Sequence, residues 1–214
     1  MGDFYDDIFT EQEDVDVDTL ANLGPLRALA GIWEGPKGLD INSNVDGTDR
    51  QAYVERIELQ PIDPQSNGPQ LLYGLRYHVH IVKPGEVQTY HDQVGYWSWE
   101  PATGMIAHSL TIPRGQSVLA LGQAEADAKT FEVRAVRGDT LGGIASIEFL
   151  ERAFRTDSFS LKVTVNPDGT WSYFSDTVLQ VMGRAEPFHH TDRNTLTKVA
   201  EPTPNPLALE ATGG

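Results

Sequence analysis

The sequence predicts an all-β protein: a single antiparallel up-and-down β-barrel of about ten strands with a short N-terminal capping helix. Three observations predict it. Alternating or β-branched and aromatic runs recur near 51–60, 70–82, 86–99, 104–112, 116–124, 129–136, 143–154, 158–165, 170–182 and 193–199. Turn-formers separate them, among them Lys83-Pro84-Gly85, Pro113-Arg114-Gly115 and Asn166-Pro167-Asp168-Gly169, the last being the strongest hairpin signal in the chain. Almost no segment past residue 30 carries a helical period, and short, evenly spaced strands are the pattern of a barrel.

The elements follow in order. Residues 1–22 read as an acidic N-terminal tail without Lys or Arg before residue 27, in which Phe4, Tyr5, Ile8 and Phe9 are scattered. They are either solvated or docked on the barrel or a partner. Within Thr19 to Ala30, Leu23, Leu26 and Leu29 fall at helical spacing and Pro25 suits an early helical position. The barrel domain is placed at 23–200. Its clearest strand sets Leu71, Tyr73, Leu75, Tyr77, Val79 and Ile81 on one face and Gly74, Arg76, His78 and His80 on the other, because side chains alternate along a strand. Residues 201–214 hold three prolines and two closing glycines and read as a loosely ordered tail.

A chain of 214 residues can bury a core as one domain. Acidic residues outnumber basic ones 31 to 16, a net charge of −15. Such a surface repels phosphate backbones and anionic lipid, so neither nucleic acid nor membrane is expected as a partner. A small-molecule ligand is expected, with homodimerisation left open. The chain has no cysteine, which excludes disulfides and thiolate ligation. No apolar run approaches the roughly 18 residues of a spanning helix and no signal pattern opens the chain, so the expectation is a cytoplasmic protein. No nucleophile–base–acid triad, phosphate loop or zinc-finger spacing is present. Ser172, Ser175 and Gly142-Gly143 read as structural. Asp176 sits either at a barrel mouth or in a pair, with Arg184 as one partner.

Histidine is the side chain here best able to ligate a metal or move protons. His78 and His80 share the polar face of their strand and are expected outside. If they faced inward, they would join Glu86 in a motif resembling the first metal-binding motif of cupins. That second alternative would make the chain a metal-dependent enzyme. His108 shares a face with Ile106 and Leu110, as expected of a structural or lumen-edge residue. Thr89, His91, Gln93 and Trp97 lie on one face whose mixed polarity suits a ligand cavity. The register of His91 depends on the turn before it: one loop length sets it opposite Val79, inward, and others opposite His78.

The stretch from Glu86 to Glu100 carries His91 four residues before Gly95-Tyr96-Trp97, and it resembles the strand bearing the distal histidine of the nitrobindin family of haem-binding barrels. The resemblance runs from Leu26 to about Val199. It includes Gly31-Ile32-Trp33, similar to the Gly-x-Trp opening of fatty-acid-binding-like and lipocalin-like barrels, where the Trp plugs the closed end. Gly38 continues the family's glycine signature, and Leu39-Asp40-Ile41 replaces the rest of it. The resemblance implies a haem b cofactor with its iron on His190, in Pro187-Phe188-His189-His190, with His189 the adjacent alternative. Asp192 is a candidate to orient that imidazole. The resemblance further implies His91 as the distal, catalytic residue, Tyr90 beside it, and Trp97, Ile106, Leu110, Leu119 and Leu121 walling the slot. Loop 183–188 would form one lip of the pocket. The activity implied is nitric oxide binding and isomerisation of peroxynitrite at ferric haem. The alternative is an apo carrier of a small hydrophobic molecule.

Overall fold

Strand alternation is realised as a closed antiparallel barrel in the computed structural model, which describes residues 7–45 and 47–212. The expectations for Phe4 and Tyr5 lie outside the described residues. A helical turn α1 (Thr19–Asn22) and a 3-10 turn (Gly24–Leu29) lead into β1 (Gly31–Asn44). Then come β2 (Gly47–Pro61), β3 (Gln65–Asn67), β4 (Gln70–Val82), β5 (Thr89–Glu100), β6 (Met105–Ile112), β7 (Gln116–Gln123) and β8 (Thr130–Val136). Next follow β9 (Gly143–Ser146), helix α2 (Glu148–Ala153), β10 (Phe154–Val165), β11 (Trp171–Val181), β12 (Phe188–Ala200) and helix α3 (Pro206–Thr212).

Ten of these strands form the wall, in the order β1, β2, β4, β5, β6, β7, β8, β10, β11, β12, with β12 pairing back onto β1. Two short strands lie outside the ring: β3 is a hairpin arm on β4, and β9 pairs with the first half of β7. Closure gives each of the ten wall strands a neighbour on both sides.

Capping at one end comes from the chain's own beginning. Leu23, Leu26 and Leu29 are fully buried beside Trp33 and Trp99, and the Trp33 indole donates to Leu29 O at 2.8 Å. Trp33 meets Trp171 edge to face with ring centroids 6.0 Å apart. Two glycines let aromatic rings lie close against the backbone, one at this end and one toward the other end of the barrel. At Gly24 (φ +52°) a Cβ would stand 2.5 Å from the Trp99 indole, and at Gly38 it would stand 2.0 Å from the Tyr53 ring. The acidic segment is tied to this end, with Gln12 donating to Pro69 O at 2.7 Å and the Tyr73 hydroxyl to Asp16 O at 3.1 Å. The chain's last part joins it: Asn205 donates to Val17 O at 3.1 Å, and 206–212 form α3 where a loose tail is expected.

The expected strand over 143–154 is corrected. Only Gly143–Ser146 is extended, and Glu148–Ala153 (E-F-L-E-R-A) is helical. These are good helix formers carrying a Glu148–Arg152 pair at i,i+4, and local preference wins where β9 runs out of a partner strand. The following strand accordingly starts at Phe154. Among the described residues no helix is long and apolar enough to cross a membrane.

Candidate functional site

At the end opposite the tryptophan cap the barrel encloses a cavity of about 550 Å³, within the usual range of about 300–1,000 Å³ for small-molecule sites. Its deep walls are apolar: Ile57, Leu59, Val79, Leu110, Val118, Leu161 and Val163. Phe149 and Leu150 of α2, with Phe154, line its mouth, where β7 turns from β8 to pair with β9.

The mouth itself is polar, because inward positions change character along each strand. On β12 the inward side chains run His190, Asp192, Asn194, Leu196 from mouth to core, and on β2 they run Tyr53, Glu55, Ile57, Leu59. The last strand, expected over 193–199, begins earlier and includes the histidine pair: His190 faces the cavity while His189 faces out and holds Asp176 at 2.8 Å. Of the two readings for Asp176 the pair is found, with His189 and not Arg184 as the partner, since Arg184 donates to the Asn44 and Gly47 carbonyls, the latter at 3.1 Å.

His190 Nε2 stands 2.9 Å from Asp40 Oδ1 and 3.5 Å from Asp192 Oδ2. Donor atoms of these three residues all lie within 4.8 Å of one another. Burial opposes the charge on His190, but Asp40 and Asp192 outweigh it and raise its pKa. Burial pushes the Asp192 carboxyl up to about 6, partly offset by His190. Burial acts on Asp40 in the same sense, yet its contacts with His190, Tyr90 and Asn42 prevail and hold its pKa down. The Tyr90 hydroxyl donates to Asp40 Oδ2 at 2.5 Å, and Asn42 donates to the same oxygen at 2.9 Å. β5 and β1 are separated around the ring by β2 and β4, so the Tyr90–Asp40 bond bridges the mouth.

On the same side His91 faces the cavity opposite Ile81. The register differs from all those expected, because a bulge follows Val82↔Thr89. The extra residue in β5 lets Tyr90 and His91 both line the cavity and turns Thr89 outward, where it bonds His80 Nε2 at 3.0 Å. His91 accepts at Nδ1 from Arg114 at 3.2 Å and faces Gln93 Oε1 with Nε2 at 3.3 Å. Burial and the Arg114 charge lower its pKa, so the ring is neutral.

The remaining wall residues divide. Trp97 and Leu110 line the cavity. Ile106 is fully buried at the closed end, short of the cavity, and Leu119 and Leu121 are corrected to the outer face. On β7 it is Gln116, Val118 and Ala120 that point in, so the odd-numbered leucines must point out, and Leu119 is 40 % exposed. His78 and His80 are outside as expected, His78 paired with Asp92 at 2.9 Å, and Glu86 is exposed in a turn. These three residues cannot form a cupin-like centre within the barrel.

Sequence reasoning missed Glu55 and Tyr173. Glu55 is 2 % exposed on the cavity wall; its carboxylate accepts from the Tyr173 hydroxyl at 2.9 Å and from Asn194 at 3.0 Å. Burial raises it to about 7. Its signal was present: Tyr53, Glu55, Ile57 and Leu59 alternate on one face, and a lone carboxylate among them marks a lumen position.

Haem requires an imidazole ligand, an apolar slot and a cationic or hydrated rim. His190 contacts carboxylates through Nε2, and its Nδ1 makes no hydrogen bond among the described residues. A metal-bound histidine is similarly held by a carboxylate on its second nitrogen. The apolar walls and Arg114 at the rim supply the rest, so the residues present fit the group.

Comparisons agree with this reading at the level of fold and family. The crystal structure of Rv2717c from M. tuberculosis superposes with a TM-score of 0.57 at 18 % identity, covering 84 % of this chain and 96 % of that one, which shows a common fold. No curated protein sequence matches the chain. The sequence model described as "THAP4-like, heme-binding beta-barrel domain" matches residues 22–198. With most of its length inside that match, the chain belongs to the THAP4-like haem-binding β-barrel family.

Proposed function

We propose that the cavity holds haem b through His190, and that the loaded protein binds nitric oxide and isomerises peroxynitrite to nitrate. The observation that carries the reading is His190 itself: it faces the cavity, is held at Nε2 by Asp40, and has Nδ1 uncommitted. When bound, haem supplies a ferric centre for a small nitrogen-oxide ligand. The chain's own residues do the rest. Asp40 fixes the ring of His190 and strengthens it as a donor, and Asp192 is a second carboxylate 3.5 Å away. Arg114, exposed at the rim, meets anionic groups of the ligand. Both nitrogens of His91 are engaged by Arg114 and Gln93, so its ring shapes access to the cavity and keeps no proton free to give.

Hemin titration of the purified chain, followed by absorption, tests the assignment. His190→Ala should abolish the haem band. His189→Ala should leave it unchanged, because that ring lies outside the barrel. His91→Ala should retain haem and change nitric oxide binding rates. Absence of hemin uptake by the wild type, or undiminished uptake by His190→Ala, defeats it.

A second reading, a carrier of a smaller apolar molecule, is favoured by the Tyr90–Asp40 bond, which spans the mouth and narrows it for a broad disc. Uptake of an apolar fluorophore by a wild type that refuses hemin would select it.

A further inference from the structure

Among the described residues His108 Nδ1 and Trp171 Nε1 are buried with no hydrogen-bond partner, and Asp40 Oδ1 is buried with only its ion pair to His190 at 2.9 Å. All three residues line the one cavity. Unpaired buried polar groups are rare in native proteins, and leaving a donor unmet costs more than a typical hydrogen bond contributes. Asp40 belongs to the mouth. The other two lie deeper, His108 two inward positions below Ile112 on β6 and Trp171 at the start of β11 beside the closed end.

Both are donors. The indole N–H has no other option. The tautomer of His108 follows from a chain of hydrogen bonds whose polarity Arg114 sets. A guanidinium only donates, so His91 Nδ1 accepts and the proton of this neutral ring sits on Nε2. That proton must face the Gln93 amide oxygen, which turns the amide nitrogen toward the Tyr77 hydroxyl at 2.7 Å. The hydroxyl oxygen accepts there, and its own hydrogen goes to His108 Nε2 at 2.9 Å. Nε2 of His108 is thereby the acceptor, and its proton is on Nδ1. The opposite tautomer would orphan the Tyr77 hydroxyl as well as Nδ1, two groups in place of one. His108 is 1 % exposed, stacks on Trp97 with ring centroids 3.9 Å apart, and is neutral, burial holding its pKa near 3.

We infer that the floor of the cavity is a binding subsite for an uncharged hydrogen-bond acceptor, a carbonyl-type oxygen on an otherwise apolar molecule, received by His108 Nδ1–H and Trp171 Nε1–H. An anion is disfavoured because the cations that line the cavity, Arg114 and His190, are both at the mouth. Neither donor is part of the His190 cluster, so the inference does not rest on haem binding.

The test uses the full chain without added hemin and two probes of similar shape, acetophenone and ethylbenzene. Affinities are measured by NMR titration on wild type, His108→Phe and Trp171→Phe. The ketone-to-hydrocarbon affinity ratio should fall about tenfold in each variant, the loss of one hydrogen bond, while ethylbenzene binding changes little. In the wild type, acetophenone should shift the Trp171 indole N–H proton downfield, and the His108 ring should show its proton on Nδ1. These wild-type readouts stand even if a variant fails to fold. Failure of acetophenone to bind, an unchanged ratio in both variants, or a His108 proton on Nε2 would overturn the inference.

Discussion

Replacing Glu55 by glutamine removes a buried charge whose effect on stability can be worked from its surroundings. Burial raises its pKa to about 7 from 4.5, although Tyr173 and Asn194 donate to it. A carboxyl whose folded pKa lies above its unfolded value keeps its proton in the native state while the unfolded chain has released it. Stability is then full below about pH 4.5 and falls as pH rises, up to about pH 7. The slope is about 1.4 kcal/mol per pH unit, a ceiling of about 3 kcal/mol across the window. Glutamine has the same shape and cannot ionise. Urea unfolding between pH 4.5 and 8.5 should show wild type losing ground steadily against Glu55→Gln, the variant ahead by about 1–3 kcal/mol at pH 8. Asp192, raised to about 6, and His190 contribute to the pH dependence of both proteins, and the repulsion between Asp192 and Glu55 is part of the difference between the two curves. Parallel curves for the two proteins would refute the reasoning, for they would mean that Glu55 is ionised in the cavity at no cost.

The other expectations are simpler. Trp33→Ala should cost about 3–5 kcal/mol in urea unfolding, because it empties the closed end under Leu26 and Leu29. A cost under about 1 kcal/mol would mean that the cap does not depend on the ring. Gly38→Ala should cost about 1–3 kcal/mol, since the new Cβ meets the Tyr53 ring at 2.0 Å; unchanged stability would mean that the ring moves freely. Asp40→Asn should lower the pKa of His190 in an NMR titration, because the carboxylate at 2.9 Å helps to hold its proton; a pKa that stays raised would transfer that role to Asp192.

Barrel closure was legible because it depends on period and punctuation, which are local. β4 runs over 70–82 in both the sequence reading and the structure, since its six apolar residues face a continuous interior. The reading failed where inward positions are polar. Phe188-His189-His190-Thr191-Asp192 lacks an apolar stripe because its inward side meets a cavity, so the strand was expected to begin at 193 when it begins at 188. Leu119 and Leu121 failed in the opposite way. Hydrophobicity recommended them for the interior, but the parity of β7 is set by Val118 and Ala120.

The site was legible residue by residue and illegible as an arrangement. His91, His190 and Asp192 stand out by type, yet the Tyr90–Asp40 bond that draws the mouth together joins positions 50 residues apart on strands that are not neighbours. It also depends on a bulge beside Thr89 that no local pattern announces. Without that extra residue, Tyr90 would lie on the outer face of β5, Asp40 would lose its shortest contact, and Thr89 could not meet His80. One irregularity in pairing thus sets the polarity of both faces at once. It explains why Leu39-Asp40-Ile41 can replace the rest of the glycine signature after Gly38 and still bring a carboxylate to His190: the strand supplies the carboxylate, and Tyr90, from across the mouth, holds it in place.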